Sequence, residues 1–423
     1  MKSTVTIPQL FTIIIGFMVV PDISCSAQSH GVDWVHGLGG NNTSLQQVAT
    51  FYESSRPILT PTRLSYPTGD GITSMANMVR WNTGGAGRIG IGHSMGGTAI
   101  RQTTLWNNTQ WSGVVTLGSP LRGATIAASG VNGTNAAFVD NGMNRMMAGP
   151  GVGAGSAPPI YPGLGLQLKP ASILGELFSK WLAGIINDKL MSKFGLTGQT
   201  ASDLAPGSTY QNDVVNQNVD FPKIFVWGNE SYPVLWRLVG TYAGENTTDD
   251  EGVNIASDVA NIYNTISNGE EAMSWINIGA HGFHQWRKGK WEEGRNLANT
   301  DSNVGWQTVI GAQWTETVMG TYWENTCSEE HYYNYCDQQS DPELCRSYCI
   351  ITYPVAWTVY HETPSDGVVT SQSAQNQGGA WQGFPREAQN INHGELKRID
   401  RVQPTMNWVL DGGNNPTVFR ISY

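Results

Sequence analysis

Charge is scarce in this chain. Only 14% of the 423 residues are Asp, Glu, Lys or Arg, and the balance is acidic, with a formal net charge of -10. That composition argues against nucleic acid and against electrostatic docking on anionic membranes. Long apolar runs are missing too. Beyond Val20 nothing approaches the roughly 20 apolar residues that a membrane-spanning helix needs, so no transmembrane span is expected. Cysteine is rare, with five in all. There is no internal repeat and no low-complexity tail.

What stands at the N-terminus is Lys2, an apolar run from Ile7 to Val20 and the small-residue stretch Cys25-Ser26-Ala27. This order of charge, apolar core and small residues reads as a secretory signal peptide over 1–27, with a mature chain from Gln28 and a periplasmic or extracellular destination. Lipidation at Cys25 is the alternative, but Asp22 sits where a bacterial lipobox wants an aliphatic residue. The four remaining cysteines, Cys327, Cys336, Cys345 and Cys349, crowd into one polar, aromatic-rich stretch. In an exported chain they predict two disulfides, and three pairings are open. A zinc site aided by His331 competes, but the stretch lacks paired Cys-x-x-Cys knuckles.

Glycine is abundant, at 50 residues, and one cluster of it carries chemistry. Arg88-Ile89-Gly90-Ile91-Gly92-His93-Ser94-Met95-Gly96-Gly97 is strand-like up to Gly-x-Ser-x-Gly and helix-compatible after it. A serine on so sharp a turn has its hydroxyl clear of the backbone, and the flanking glycines let strand and helix close around it. About 0.4 such pentapeptides are expected by chance in a chain this rich in glycine, so the surroundings decide. Val32-Asp33-Trp34-Val35 reads as a buried strand running into His36-Gly37-Leu38-Gly39-Gly40. Gly113-Val114-Val115-Thr116-Leu117 reads as another, ended by Gly118-Ser119-Pro120. Ser365-Asp366-Gly367-Val368-Val369 and Asn392-His393-Gly394-Glu395-Leu396 follow much later.

The spacing predicts strand 32–36, helix 44–54, an extended segment 57–66, helix 71–82, strand 88–92, helix 96–106 and strand 113–118. Such alternation implies an α/β fold, a mostly parallel sheet with helices on both faces. The pattern breaks between Leu121 and about Asp220, returns at 223–228, and gives way to an irregular Trp- and Asn-rich region. Trp357-Thr358-Val359-Tyr360 is expected to be the last strand, with Asp366 on the loop past its carboxyl end.

HGLGG, GHSMGG, TLGSPLRG, SDGVV and NHGEL, in this order, resemble the secreted bacterial lipases and esterases of the α/β-hydrolase superfamily, and they bracket nearly the whole mature chain. The resemblance implies an α/β-hydrolase domain over 28–423, with a cap insertion at about 121–220 and a disulfide-bearing insertion at about 240–350. It implies a catalytic set in the order Ser94, Asp366, His393, and an oxyanion hole from the N–H groups of Leu38 and Met95. Among the other histidines, His36 is expected to hold the glycine loop. His281, His284 and His361 lie in segments without a matching role.

Glu395 stands where some secreted lipases place a calcium ligand, but without a second carboxylate it reads better as a solvated surface residue or a loop anchor. Neither metal nor cofactor is implied. The expected activity is carboxylic ester hydrolysis, of acylglycerols at a lipid-water interface or of small esters. An acyltransferase, a polyester depolymerase or a non-catalytic scaffold would share the same residues. Finally, Ile173, Leu177, Trp181, Ile185 and their neighbours recur every three to four residues over 171–195. They form either a lid hinged on 148–165 or a packed cap.

Overall fold

The computed structural model describes residues 31–85, 87–106, 110–132, 198–230, 302–328 and 330–421, with a few single positions between 241 and 296. The segments expected to be a signal peptide (1–27), a hinge (148–165) and a lid or cap helix (171–195), with His281 and His284, lie outside the described residues.

Six strands form a parallel sheet in the order β2-β1-β3-β4-β5-β8. They are β1 (Gly31–Val35), β2 (Leu59–Arg63), β3 (Arg88–His93), β4 (Trp111–Leu117), β5 (Lys223–Asn229) and β8 (Phe384–Gln389). Helices α1 (Gln46–Ser55), α2 (Ile72–Asn82) and α3 (Met95–Trp106) connect the first four. Between 31 and 117 each predicted element is present to within a few residues.

Alternation along the strands builds two cores. Val32, Trp34, Ile89, Ile91, Val115 and Val226 pack with α1 and with the helix Ile399–Leu410 on one face of the sheet. Val35, Val114 and Phe225 pack with Met75, Val79 and Ile100 on the other. β3 shows why glycine alternates with isoleucine. A Cβ on Gly92 would lie 2.6 Å from the Gly97 nitrogen, so only glycine lets α3 press so closely on the strand. At the opposite end of the sheet the buried Arg88 guanidinium pairs with Asp33 at 2.7 Å, and the Trp111 indole N–H donates to the same carboxylate at 3.0 Å.

The region before Asp366 departs from expectation. Trp357–Tyr360 is not a strand of the parallel sheet. It belongs to β7 (Ile350–Glu362), which pairs antiparallel with β6 (Gln313–Asn325) in a separate two-stranded ribbon. Pro354 explains the correction, because a residue without an N–H does not fit the middle of a central strand. β6 was read as irregular, and it is a strand of 13 residues. The edge strand that completes the sheet, β8, lies after Asp366 and was missed. The cysteines close the far end of the ribbon as nested pairs, Cys327–Cys349 and Cys336–Cys345.

Candidate functional site

The sheet's winding reverses between β1 and β3: the chain leaves β1 for β2 on one side and leaves β3 for β4 on the other. A crevice opens at such a reversal, at the carboxyl ends of the two strands, and it is where open α/β sheets bind ligands. The loop 36–40 follows β1 there, and Ser94 follows β3.

Ser94 has φ +55°, a left-handed conformation that side-chain-bearing residues seldom adopt. Its N–H donates to the Leu117 carbonyl at 2.8 Å, and its own carbonyl accepts from Gly97 at 3.0 Å, so both neighbours hold the turn. Three glycines make room for it. A Cβ on Gly96 would come within 2.3 Å of the Val35 carbonyl oxygen. On Gly37 it would come within 2.7 Å of Ser94 Cβ. On Gly118, itself at φ +59°, it would fall 2.6 Å from an Asp366 carboxylate oxygen. These positions are glycine because backbone or site atoms already occupy the space a side chain would need.

His393 bridges the other two. Its Nδ1 lies 2.7 Å from Asp366 Oδ2 and its Nε2 lies 2.8 Å from Ser94 Oγ, across 27 and 299 residues of sequence. The carboxylate can only accept, so Nδ1 carries the proton and Nε2 is left to accept from the serine hydroxyl. Asp366 is buried, and its second oxygen accepts the N–H groups of Val368 at 3.0 Å and Val369 at 2.7 Å. Three hydrogen bonds thereby hold the carboxylate in place, two on Oδ1 and one on Oδ2. The acid comes to β5 rather than to the strand expected, since a Cβ on Gly228 would lie 2.8 Å from Asp366 Cβ.

A parallel α/β sheet holds this site. Around its three residues stand supports that sequence reading passed over. His93, inside the elbow, donates from Nε2 to the His393 carbonyl at 2.8 Å, so elbow and histidine loop are tied directly. Burial pushes His93 well below the ordinary histidine pKa, and the nearby His393 ring lowers it further. Asn392 accepts the N–H groups of Gly394 and Glu395, while Glu395 reaches back to the Asn392 N–H at 2.9 Å. That is a reciprocal cap, the anchoring role expected for Glu395. The Trp306 indole donates to the Gly367 carbonyl at 2.8 Å beneath the acid loop.

The loop after β1 is equally constrained. His36 stacks on Tyr66 with ring centroids 4.0 Å apart, the Tyr66 hydroxyl donates to the His36 carbonyl, and His36 Nδ1 donates to Gly37. Burial lowers the pKa of His36, and the bond to Gly37 only partly opposes this. The ring therefore holds the loop in its neutral form. Among the described residues, the N–H groups of Leu38 and Met95 have no hydrogen-bond acceptor. Both belong to segments in contact with Ser94.

No family model and no curated protein sequence matches the chain. Among solved structures it is similar to the mature form of Bacillus licheniformis lipase BlEst2, at 11% identity and TM-score 0.39 over 90% of this chain and 92% of that one. It is also similar to an extracellular α/β-hydrolase from a Paenibacillus species, at 11% identity and TM-score 0.26 over 47% and 76%. A third is a lipase-esterase related protein from Clostridium acetobutylicum, at 13% identity and TM-score 0.24 over 47% and 74%. The chemistry of the site rests on its own geometry.

Proposed function

We propose that this protein is an exported serine hydrolase of carboxylic esters, acylglycerols among them, working through an acyl-enzyme. The observation that carries the reading is the His393 ring placed between a strained, turn-borne Ser94 hydroxyl and a buried Asp366 held by backbone N–H groups. A serine hydroxyl is a weak nucleophile at neutral pH, and it needs a base in contact and a third group that holds the base's tautomer.

In the first half of the cycle Ser94 Oγ bonds to the ester carbonyl carbon as its proton passes to His393 Nε2. The carbonyl π electrons move onto oxygen, where the N–H groups of Leu38 and Met95 receive the negative charge. Collapse of the tetrahedral adduct breaks the bond to the alcohol, which leaves with the proton from Nε2. Water then repeats the route: it gives a proton to Nε2, attacks the acyl carbon, and collapse returns the proton to Ser94 as the carboxylic acid departs. Asp366 stays ionised throughout and stabilises the imidazolium.

The test is labelling by a fluorophosphonate probe, combined with hydrolysis rates on p-nitrophenyl esters of increasing acyl length. Labelling that disappears in Ser94→Ala, with turnover on at least one chain length, supports the reading. Labelling that persists in Ser94→Ala overturns it.

A further inference from the structure

The ribbon is the one part of the described structure whose large apolar side chains face water on a continuous strip. In a strand, alternate residues share a face, and the β6–β7 register places Trp314, Val318 and Tyr322 beside Tyr353, Trp357 and Val359. All six are 38% to 55% exposed. The strip holds two acids, Glu316 and the exposed Glu324, among its apolar side chains. Trp357 lies flat over Gly320, whose Cβ would fall 1.7 Å from the indole. The acid Glu316 is paired with His361 at 2.9 Å, and that imidazole is stacked on Trp314. The opposite face carries Thr315, Thr317, Thr321, Thr352 and Thr358, with the exposed Met319 and Tyr360 among them. The two faces thus differ, one mainly aromatic and branched, the other mainly hydroxylated.

Its charge narrows what the apolar face can meet. Neither strand has a Lys or Arg, and the connection between them has Arg346 against Glu329, Glu330, Asp337, Asp341 and Glu343. An anionic bilayer would be repelled. A second copy is disfavoured by the same like charge and by size. A two-stranded face of 13 registers covers roughly 400 Å², about half of the ~800 Å² per partner of a standard stable interface. A neutral apolar phase imposes neither cost. Trp and Tyr suit it, because their rings are apolar and their N–H and O–H groups remain in contact with water at the boundary.

The ribbon's base is also continuous with the site. Thr363 donates to Ala312 at 2.8 Å where the strands meet the body, and Asp366 follows within the same loop. We propose that the aromatic face of this ribbon docks the protein on the surface of a neutral, water-insoluble ester phase, a proposal that rests on the ester-hydrolase reading above. The ribbon is to such a surface what an amphipathic interfacial helix is to a membrane.

The test separates docking from chemistry by measuring binding with the inactive Ser94→Ala chain on triolein droplets. Adding Val318→Thr and Trp357→Thr is expected to weaken droplet binding at least tenfold. Tyr360→Thr, on the threonine face, is expected to leave it unchanged. In the active chain the same two replacements should leave p-nitrophenyl butyrate hydrolysis and thermal melting near their starting values, with Tyr322→Thr as a milder second variant. Unchanged droplet binding by all strip variants overturns the proposal. So does equal binding to phosphatidylserine vesicles, or a dimer that dissociates in the variants while droplet binding persists. A large drop in melting temperature also overturns it, because it would mean that the strip is packed rather than exposed. If the wild-type chain hydrolyses no ester yet Ser94→Ala binds droplets through the strip, the surface stands and the enzymatic reading falls.

Discussion

The parallel sheet and the ribbon use the same residue types to opposite ends. In β3, β4 and β5 nearly every residue is buried on both faces, and helices press close enough that several positions tolerate only glycine. In β6 and β7 the valines, tyrosines and tryptophans pair across two strands, and Trp314, Val318, Tyr322, Tyr353, Trp357, Val359 and Tyr360 remain 38% to 82% exposed. The first arrangement holds three groups to within hydrogen-bond distance across 299 residues. The second holds no group of the site and presents area. Precision comes from layers on both sides of a sheet, and a two-stranded ribbon has none.

The comparison breaks most sharply at Ser94. Ser94→Ala is expected to cut ester turnover about 10⁴-fold or more while leaving the fold intact, because the residue acts on substrate and not on packing. Steady-state rates together with circular dichroism check this, and a loss of less than tenfold would remove the elbow from the chemistry.

Two glycines sharpen the contrast in stability. Gly96→Ala drives a Cβ into the Val35 carbonyl, which is backbone and cannot move away, so a loss of about 3 kcal/mol or more is expected. Gly320→Ala meets only the exposed Trp357 ring, which can swing aside, and a loss below about 1 kcal/mol is expected. Thermal melting of the two variants side by side decides. Equal losses would mean that the ribbon is as closely packed as the sheet.

The disulfides test whether the two regions are independent. Opening Cys327–Cys349 by Cys→Ser replacements at both positions frees a 22-residue separation, worth roughly 3 kcal/mol in the chain-entropy picture. The loss should be local. Amide exchange is expected to quicken between 313 and 362 while p-nitrophenyl butyrate turnover stays within twofold, and a collapse of turnover would show that the ribbon shapes the site.

The smallest effect concerns pH. His93 and His36 both have folded-state pKa values below their unfolded ones, chiefly through burial. The unfolded chain therefore binds more protons, and stability, complete above about pH 6.5, declines as pH falls below it. His93→Gln, which keeps a donor for the His393 carbonyl, should flatten that decline in melting temperature between pH 7.5 and 5. An unchanged slope would assign the decline to other groups.

Most of the sheet and the three site residues were legible in the sequence because their signals are local. Ile-Gly alternation before Gly-x-Ser-x-Gly, the apolar run 113–117 and the short turn-bearing motifs around Asp366 and His393 each state their own backbone geometry. What failed was membership. Val355, Trp357 and Val359 carry a strand signal whichever sheet they join, and only Thr352 and Thr358, together with Pro354, mark a solvent-facing antiparallel strand. β8, Phe-Pro-Arg-Glu-Ala-Gln, was illegible because an edge strand with few buried residues has no apolar periodicity. The supports His93, Asn392 and Trp306 act through contacts between distant segments, which no local pattern records. The disulfide pairing was open for the same reason.

The sequence separation of 299 between Ser94 and His393 also imposes an order in time. A chain emerging from its N-terminus exposes the serine long before its base exists, and the elbow turn can form with β3, α3 and β4 alone. Until the segment after β8 threads back beside the elbow, the hydroxyl lacks His393 as its proton acceptor, and under the proposed function the protein is inert toward the esters of the cell that makes it. Latency during synthesis is, in that reading, a by-product of topology.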